Sequence, residues 1–412
     1  LLIFINMIKL SSFPIKTLKS RPHVSDNIST WILLQAWFIR QTMAWVYNYT
    51  TLWLKVLRKI ENIVREEMNN YWASEILMSW LSPMDLWEKT WRQNIEEYFK
   101  VPTYGDKFYR LNPTHEEIVV PLMKEFINSY KDSWACVYQI QNKFRNEKRA
   151  KSWLLRGREF LMKDAYSFHL TDEEFVKYYE WMKEAYMKVF NRLWIWKDTY
   201  ITIADWGVFT EKNSHEFQTL LPIWEDDIYI CSDCNTSHNK EVVDLENGFK
   251  CFSCNSTNHR IEQASEVGNI FPLETKFSKP FDVKMLDENN KEQDVIMWCY
   301  GIWVSRLMWV CAEYFMQENW IAWPESIAPA DYYIIVIWEE NLEKAKQIAE
   351  QLESEWKEVI LDDREWKKFG FGQKAWDCEL FWIPNRIVIS PKTFEQGWYE
   401  LTKRWEESKI IN

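Results

Sequence analysis

Two short stretches decide the fold: FRNE at Phe144–Glu147 and REFLMKDAYSF at Arg158–Phe168. Apolar residues typical of strands lie on both sides of the gap between them, at Ala135–Ile140 and Phe160–Lys163. The pattern therefore predicts two strands joined by a loop. The joining segment is basic, and its cations are Lys143, Arg145, Lys148, Arg149, Lys151, Arg156 and Arg158. Taken alone, such a run favours a solvated surface over a nucleic-acid contact.

A helix is predicted upstream of this strand pair, at Thr51–Asn69. Its apolar residues recur at helical spacing; they are Val56, Ile60, Ile63, Val64 and Met68. On the other face of the helix, Glu61 and Arg65 are expected to form an i,i+4 ion pair.

Downstream, the sequence TDEE at Thr171–Glu174 is a helix-capping signal and predicts a second helix that runs to about Phe190. Apolar segments typical of strands return at Ile270–Phe271 and Val295–Tyr300, and a helix is expected from about Ser305.

The last part of the chain alternates between strand and helix patterns after a linker bracketed by Pro324 and Pro329. The predicted order is strand Tyr332–Ile337, helix Asn341–Glu355, strand Glu358–Leu361, helix Gln373–Phe381 and strand Arg386–Ser390. Such an alternation is typical of a small α/β domain.

Residues 226–262 are polar and contain two C-x-x-C pairs, Cys231 with Cys234 and Cys251 with Cys254. The spacing is typical of a zinc ribbon held by four thiolates. Because four thiolates leave no open coordination position, we expect a structural zinc ion; free thiols are the alternative. With no secretion signal, the cysteines also indicate a reducing compartment.

Bulk composition excludes some classes of protein. No stretch reaches the ~18 uncharged apolar residues of a membrane span, and the net charge of −11 argues against a protein that coats nucleic acid. A tRNA partner stays possible, since docking needs only local basic patches. The chain starts on Leu1, and we expect Met7 to be the natural first residue.

Glycine and tryptophan are present in unusual numbers. The chain has 9 glycines, where about 29 are average for its length, and 27 tryptophans. Several tryptophans stand where a turn or a helix end favours glycine; they are Trp72, Trp91, Trp206, Trp356 and Trp398. We hypothesise that a UGA codon for glycine is written as tryptophan, whereas Trp87 and Trp323 are interpreted as true tryptophans. The alternative is a protein that is rich in tryptophan.

Three separated motifs carry a resemblance to a known family. KIENIVREEMNN at Lys59–Asn70 looks like motif 1 of the class II aminoacyl-tRNA synthetases, although the proline that usually ends this motif is missing. The opening stretches look like motif 2 in its prolyl form. WCYGIWVSR at Trp298–Arg306, with glycine at 298 and 303, looks like motif 3. From Met7 to its end the chain thus resembles bacterial-type prolyl-tRNA synthetases.

The resemblance implies an enzyme, an aminoacyl-tRNA ligase that activates L-proline with ATP and loads it onto tRNA(Pro). Its implied fold is an α+β catalytic domain with an antiparallel sheet, a zinc-ribbon insert and a C-terminal α/β anticodon-binding domain. The expected boundaries are 7–225 and 263–325 for the catalytic domain, 226–262 for the ribbon and 328–412 for the anticodon domain. A homodimer in the cytoplasm without membrane contact is also expected.

The same resemblance assigns roles at the ATP site. Arg145 is expected to bridge the proline carboxylate and the α-phosphate, and Arg306 to hold the ATP tail. Glu147 and Phe160 are expected to position adenine, and Mg²⁺ to arrive with the nucleotide.

At the proline site, Thr114 and Glu116 of the stretch NPTHEE are expected to receive the ammonium, with a helix N-terminus as the alternative reading. Cys299 is expected to line the ring pocket, unless it is a plain buried cysteine. His215 is expected to donate or accept a hydrogen bond there, unless it is structural.

Between motifs 2 and 3, family members often carry a large editing domain. This chain has only the ribbon at that place, so we expect no editing in cis.

In the closing domain, Lys367, Lys368 and Lys374 are candidates for phosphate contacts. The rival interpretations are a threonyl- or seryl-type synthetase and an inactive paralogue that binds tRNA.

Overall fold

The computed structural model describes residues 7–13, 16–20, 28–43, 46–105, 107–146, 157–205, 214–222, 226–404 and 406–411. The strands there are β1 (Ile8–Lys9), β2 (Ile39–Met43), β3 (Val46–Tyr49), β4 (Ser74–Glu75), β5 (Leu81–Pro83), β6 (Lys100–Pro102), β7 (Phe108–Leu111), β8 (Ala135–Phe144), β9 (Glu159–His169), β10 (Thr199–Ala204), β11 (Ser214–Leu220), β12 (Asp226–Cys231), β13 (Ser237–Asn239), β14 (His259–Glu274), β15 (Lys284–Leu286), β16 (Glu292–Asp294), β17 (Ile296–Ile302), β18 (Tyr332–Val336), β19 (Val359–Asp362), β20 (Asn385–Ile389), β21 (Tyr399–Lys403) and β22 (Lys409–Ile411).

The α-helices of the same residues follow the sequence patterns closely. They are α1 (Ile28–Gln35), α2 (Thr51–Asn70), α3 (Met84–Lys89), α4 (Glu116–Met123), α5 (Asp172–Arg192), α6 (Val304–Tyr314), α7 (Leu342–Ser354), α8 (Phe371–Phe381) and α9 (Pro391–Gln396). None of these helices is long and apolar enough to cross a membrane.

Local chemistry explains the two long helices. The apolar stripe of α2 is buried as predicted, but its predicted ion pair is wrong: Arg65 donates to Glu75 at 2.7 Å, and Glu61 is buried. Helix α5 begins with the predicted capping box, in which the Thr171 hydroxyl accepts the backbone N–H of Glu174.

The chain divides into two units. One takes its residues from Leu1–Thr42, Tyr47–Lys59 and Phe315–Asn412, and the other from Met43–Val46 and Ile60–Tyr314. The described part of the second unit is built on a nine-stranded sheet in the order β11-β10-β13-β12-β14-β17-β9-β8-β4, in which most neighbours are antiparallel.

Strands β8 and β9 are the centre of the sequence prediction, and both are longer than predicted. They pair antiparallel from Ala135 with Phe168 to Phe144 with Glu159, so the basic segment joins a hairpin. Glu147 and most basic residues of that segment lie outside the described residues.

The polar segment with the cysteine pairs shares the large sheet. Strand β12 pairs with β14, and β14 pairs in turn with β17. The boundary expected between residues 262 and 263 therefore falls inside β14. At Gly301 on β17, an added Cβ would lie 2.4 Å from the Met162 methyl group and 2.6 Å from the Asn269 side-chain oxygen, so a larger residue would have to displace the ends of these two side chains.

The described part of the first unit contains a six-stranded sheet in the order β1-β19-β18-β20-β21-β22. Strands β18, β19 and β20 with α7 and α8 form the predicted α/β alternation. The three strands and α7 bury an apolar core. Strand β1 adds to the edge of this sheet, where Ile8 pairs with Ile360. Residues from 7 onward were expected in the catalytic domain, because a two-residue strand has no periodicity that marks it in the sequence.

Within the described ranges, eight tryptophans have a positive φ. They are Trp37, Trp72, Trp91, Trp134, Trp194, Trp338, Trp356 and Trp382, with φ between 53° and 75°. Three of the five positions named from the sequence are among them; Trp398 is not, and Trp206 lies outside the described residues.

Six of these eight tryptophans stand just after a helix, in the same hydrogen-bonded turn. In each turn, the residue after the tryptophan donates its backbone N–H to the carbonyl oxygen five residues before it. The donors are Phe38, Ala73, Arg92, Ile195, Lys357 and Ile383. This is the Schellman motif, in which the left-handed position is most often glycine.

Candidate active site

The ATP-side residues named from the sequence come together at one end of β8, β9 and β17. Arg145 follows β8, Phe160 lies at the start of β9, and Arg306 lies in the first turn of α6, which follows β17. The Arg145 guanidinium carbon lies 5.2 Å from the Phe160 ring centroid. Arg306 is buried and donates to the Glu266 carbonyl oxygen at 2.8 Å.

Trp303 lies among these three side chains. Its ring centroid is 4.7 Å from that of Phe160, 4.8 Å from the Arg145 guanidinium and 4.3 Å from the Arg306 guanidinium. The space between one aromatic ring and two cations is thus filled by the indole. Its Nε1 is buried and has no hydrogen-bond partner in the described part of the chain.

The predicted proline loop lies beside this arrangement, at the start of α4. The Thr114 hydroxyl bonds to the Glu116 carboxylate at 2.6 and 2.7 Å, and Glu116 is only 1% exposed. The position before the helix is His115, which makes no side-chain cap. Arg145 approaches the same loop, with Nη2 at 3.5 Å from the Pro113 carbonyl oxygen.

Cys299 lies next to Glu116. It is buried on β17, and burial together with the Glu116 carboxylate raises the pKa of its thiol. A neutral thiol at this place is small and apolar. The structure therefore brings Thr114, Glu116 and Cys299 together.

His215 lies on β11, and its Nδ1 is 2.6 Å from the Tyr179 hydroxyl. Burial lowers the pKa of His215 to about 4, so the ring is neutral near pH 7. The Trp298 ring stacks on Tyr179 at 4.8 Å and on Phe175 at 4.2 Å. His215 thus belongs to this aromatic group.

A buried polar network that the sequence analysis missed holds the proline loop against β8 and β9. Lys143 is fully buried and bonds to Asp164 at 2.7 Å and to Nδ1 of His115 at 2.8 Å. The remaining nitrogen of His115 donates to the Ser79 carbonyl oxygen at 3.0 Å, and Tyr166 accepts the backbone N–H of His115. Burial lowers the pKa of His115 to about 4, which fits a neutral ring.

A sequence signal for this network exists. Gln139, Gln141 and Lys143 alternate along β8 and all point into the interior. Polar residues at every second position of a strand, beside apolar ones, mark one face. The interpretation of Lys143 as part of a solvated basic run is wrong.

The four ribbon cysteines converge. The sulfur atoms of Cys231 and Cys254 are 3.6 Å apart, those of Cys234 and Cys251 are 3.5 Å apart, and all four lie within 4.8 Å of one another. These separations fit a tetrahedral site with Zn–S bonds of about 2.3 Å.

The two cysteine pairs lie in equivalent turns. Asn235 and Asn255 each follow a C-x-x-C pair, have φ of 63° and 61°, and donate to the carbonyl oxygens of Cys231 and Cys251.

Comparison with known proteins extends these observations. The family model described as tRNA synthetase class II core domain (G, H, P, S and T) matches residues 99–315. The proline–tRNA ligase of Ehrlichia chaffeensis is 33% identical over 419 residues, which cover 98% of this chain and 97% of that protein. The proline–tRNA ligase of Magnetococcus marinus is 29% identical, covering 96% of this chain and 95% of that protein, in an alignment of 553 residues.

Solved structures show the same fold. The prolyl-tRNA synthetase of Giardia lamblia, in complex with prolyl-adenylate, has a TM-score of 0.74 at 20% identity over 92% of this chain and 72% of that one. The enzyme of Cryptosporidium parvum, complexed with halofuginone and AMPPNP, has a TM-score of 0.74 at 15% identity over 93% and 74%. With relatives this similar over nearly its whole length, the chain belongs to the proline–tRNA ligase family of class II synthetases.

Proposed function

We propose that this chain joins L-proline to tRNA(Pro) through prolyl-adenylate, with Arg145 at the centre of the first step. In that step a carboxylate oxygen of proline attacks the α-phosphorus of ATP, and pyrophosphate leaves. Both reactants are anionic at the reacting atoms, so positioning and charge neutralisation carry the catalysis. The observation that supports this role is the convergence of Arg145, Phe160 and Arg306 beside the Thr114–Glu116 loop.

The ATP site takes its parts from the ends of three strands. Arg145 has a planar fork of donors that suits a carboxylate and a phosphate together. Phe160 and Glu147 position adenine, and Arg306 holds the polyphosphate tail from α6. Mg²⁺ bound by the phosphates would supply further neutralisation.

The proline site takes its anion from Glu116. The secondary ammonium of proline binds this carboxylate beside the Thr114 hydroxyl, Cys299 lines the apolar ring pocket, and His215 contributes a hydrogen bond at its edge. The burial of Glu116 and its neighbour Cys299 supports this arrangement, because a buried carboxylate favours a cationic ligand.

The glycine hypothesis is part of this proposal, and six helix ends support it. A bulky residue in the left-handed region costs roughly 1–2 kcal/mol, yet the tryptophans hold this place in six Schellman turns. Several tryptophan rings also project into solvent; Trp72 is 79% exposed and Trp91 86%. By contrast, Trp87 and Trp323 are buried and have no positive φ. We therefore assign the tryptophans at these helix ends to glycine in the natural chain. Trp298 and Trp303 are buried and have no positive φ, so their assignment to glycine rests on the resemblance to motif 3.

The remaining parts concern metal, tRNA and assembly. The four-cysteine cluster fits a structural zinc ion. The α/β unit around β18–β20 is proposed to bind the anticodon through exposed Lys367 and Lys368. The prediction that Lys374 contacts phosphate is wrong, because this side chain is buried and bonds to the carbonyl oxygens of Val336, Asp362 and Arg364. A homodimer formed through motif 1 remains part of the proposal, on the resemblance alone.

Pyrophosphate exchange tests the function directly. A chain with glycine at the proposed positions is expected to exchange pyrophosphate into ATP with proline and not with threonine or serine. Arg145→Ala is expected to lose at least ~10²-fold, as when a preorganised charge is removed from a transition state. The matched control is Arg260→Ala on the exposed part of β14.

The rival functions predict other outcomes. Exchange with threonine or serine would support a synthetase of that type, and an inactive chain that still binds tRNA would support the paralogue. Near-full activity of Arg145→Ala would overturn the role given to Arg145.

A further inference from the structure

A cluster of buried charges behind Glu116 has no role in the scheme above. Arg92 is 5% exposed, and its Nη1 lies 3.2 Å from a Glu116 oxygen and 3.0 and 3.2 Å from the two oxygens of Glu117. The Glu116 and Glu117 side chains are 1% and 0% exposed. One guanidinium thus serves two buried carboxylates.

Hydroxyl groups and aromatic rings contact these three side chains. Thr90 donates its hydroxyl to Glu117 at 2.7 Å, and the second terminal nitrogen of Arg92 donates to the Tyr98 hydroxyl at 2.9 Å. The guanidinium also lies 5.4 Å from the ring centroids of Trp87 and Phe277. Two other cations act on these groups: Lys143 acts on Glu116 but is itself paired with Asp164, and Lys276 acts on Arg92 from an exposed position. Where a net charge is buried and weakly screened, its balance matters.

The formal charges of these three side chains do not balance. With both carboxylates ionised, Arg92, Glu116 and Glu117 sum to one negative charge, and the ammonium of proline would bring the sum to zero. We propose that Arg92 and Glu117 are positioning residues that set the charge of the proline site: Glu117 engages Arg92 and leaves Glu116 to the substrate ammonium. The proposal deepens the function above and rests on the role given there to Glu116.

The state of Glu117 agrees with this arrangement. Burial raises the pKa of its carboxyl to about 7, Arg92 lowers it, and Glu116 raises it again. Two carboxylates that share one cation retain a proton more readily than an isolated pair. Measurements at a pH one unit or more above this value keep the Glu117 carboxyl ionised.

The first experiment is Glu117→Gln in the glycine-restored chain. The amide oxygen can still accept from Thr90, but the charge is gone, so Arg92 then neutralises Glu116. We expect the KM for proline to rise at least ~10-fold, since a buried charge has lost its complement. The KM for ATP and kcat should stay within about two-fold, and the melting temperature within a few degrees. An unchanged KM for proline would overturn the proposal, as would an equal loss in all parameters with a lower melting temperature.

A substrate analogue isolates the charge. In tetrahydrofuran-2-carboxylate, an oxygen replaces the ring nitrogen of proline and no ammonium is present. Its inhibition constant should not rise from the wild type to Glu117→Gln, whereas proline should bind more weakly to the variant. Equal weakening of both ligands would show that Glu117 only shapes the pocket, against the proposal.

Two further variants complete the test. Arg92→Met with Glu117→Gln removes both charges and leaves Glu116 alone, so its KM for proline should fall below that of Glu117→Gln; a higher KM would contradict the charge count. Glu116→Gln separates this proposal from the one it rests on. If Glu116→Gln leaves the KM for proline unchanged, the proposed proline site is wrong. If it raises that KM while Glu117→Gln does not, only the present inference fails.

Discussion

At the residue scale, the clearest conflict lies between side chain and backbone at the tryptophans that end helices. A Schellman turn needs one residue with φ > 0, and glycine reaches that region without strain. The sequence indicated such a position at Trp72, Trp91 and Trp356, because each of these tryptophans stands where a turn or a helix end favours glycine. It did not indicate Trp37, Trp194 or Trp382, although the predicted helices end at about Phe190 and at Phe381.

Replacing a single one of these tryptophans tests the glycine assignment without changing the other positions. Trp356 has φ 62° and is 68% exposed, so Trp356→Gly is expected to raise the free energy of unfolding by roughly 1 kcal/mol. The matched control is Trp87→Gly: this ring is fully buried and donates to Ser82 at 2.7 Å, so about 3–5 kcal/mol should be lost. Denaturant unfolding measures both. A destabilised Trp356→Gly would contradict the glycine assignment there.

Single residues also set a pH dependence. Burial lowers the pKa of His169 to about 4, from 6.5 in the unfolded chain. Between these values the unfolded state binds the proton and the folded state does not, so this stabilisation is complete above pH 6.5 and declines as the pH falls to about 4. Relative to His169→Gln, the wild type should lose up to about 3 kcal/mol across that window. If the free energies of unfolding of the wild type and His169→Gln, measured with urea, change in parallel with pH, His169 is not buried and neutral.

At the scale of elements, regular patterns were predictable and short or shared elements were not. The alternation around β18–β20 and the capping box of α5 follow from local sequence, since each signal is contained in its own segment. Strand β1 has two residues and pairs with Ile360, far along the chain, so nothing local marks it. The ribbon was predicted from its cysteines, but its strands continue the large sheet, because the pairing of β14 with β17 is a long-range property.

The shared sheet makes the ribbon a sensitive element. One zinc ion per chain is expected, and Cys254→Ser should abolish it, because a tetrahedral thiolate site with three ligands is weakened and opened. Loss of metal should also lower the melting temperature, since Cys231 ends β12 and β12 pairs with β14. The control is Cys378→Ser, a buried cysteine of the other unit. Metal analysis after chelation reads the stoichiometry, and a chain without zinc and with four titratable thiols would contradict the ribbon.

At the scale of the whole molecule, the family and the grouping of most site residues could be predicted from three motifs, although these motifs lie far apart in the chain. The buried side chains that hold the site residues in place could not be predicted. Arg92, Lys143 and Asp164 act through contacts between segments that the sequence does not align. From sequence alone, a buried lysine or arginine cannot be distinguished from an exposed one until its partner is known.

The length of the chain between motifs 2 and 3 leads to the last prediction, which concerns accuracy. The described residues between β9 and β17 form α5, strands of the large sheet, the ribbon and the short β15–β16 pair, whereas the Magnetococcus marinus relative aligns over 553 residues, well beyond the 412 of this chain. Alanine is smaller than proline, and a pocket rejects a smaller ligand by only ~1–3 kcal/mol per missing methylene. The glycine-restored chain should therefore form Ala-tRNA(Pro) at a measurable rate and not remove it faster than hydrolysis in buffer. Pre-formed Ala-tRNA(Pro), incubated with the chain and without it, measures the difference. Rapid deacylation by the chain alone would mean that an editing site exists within these elements.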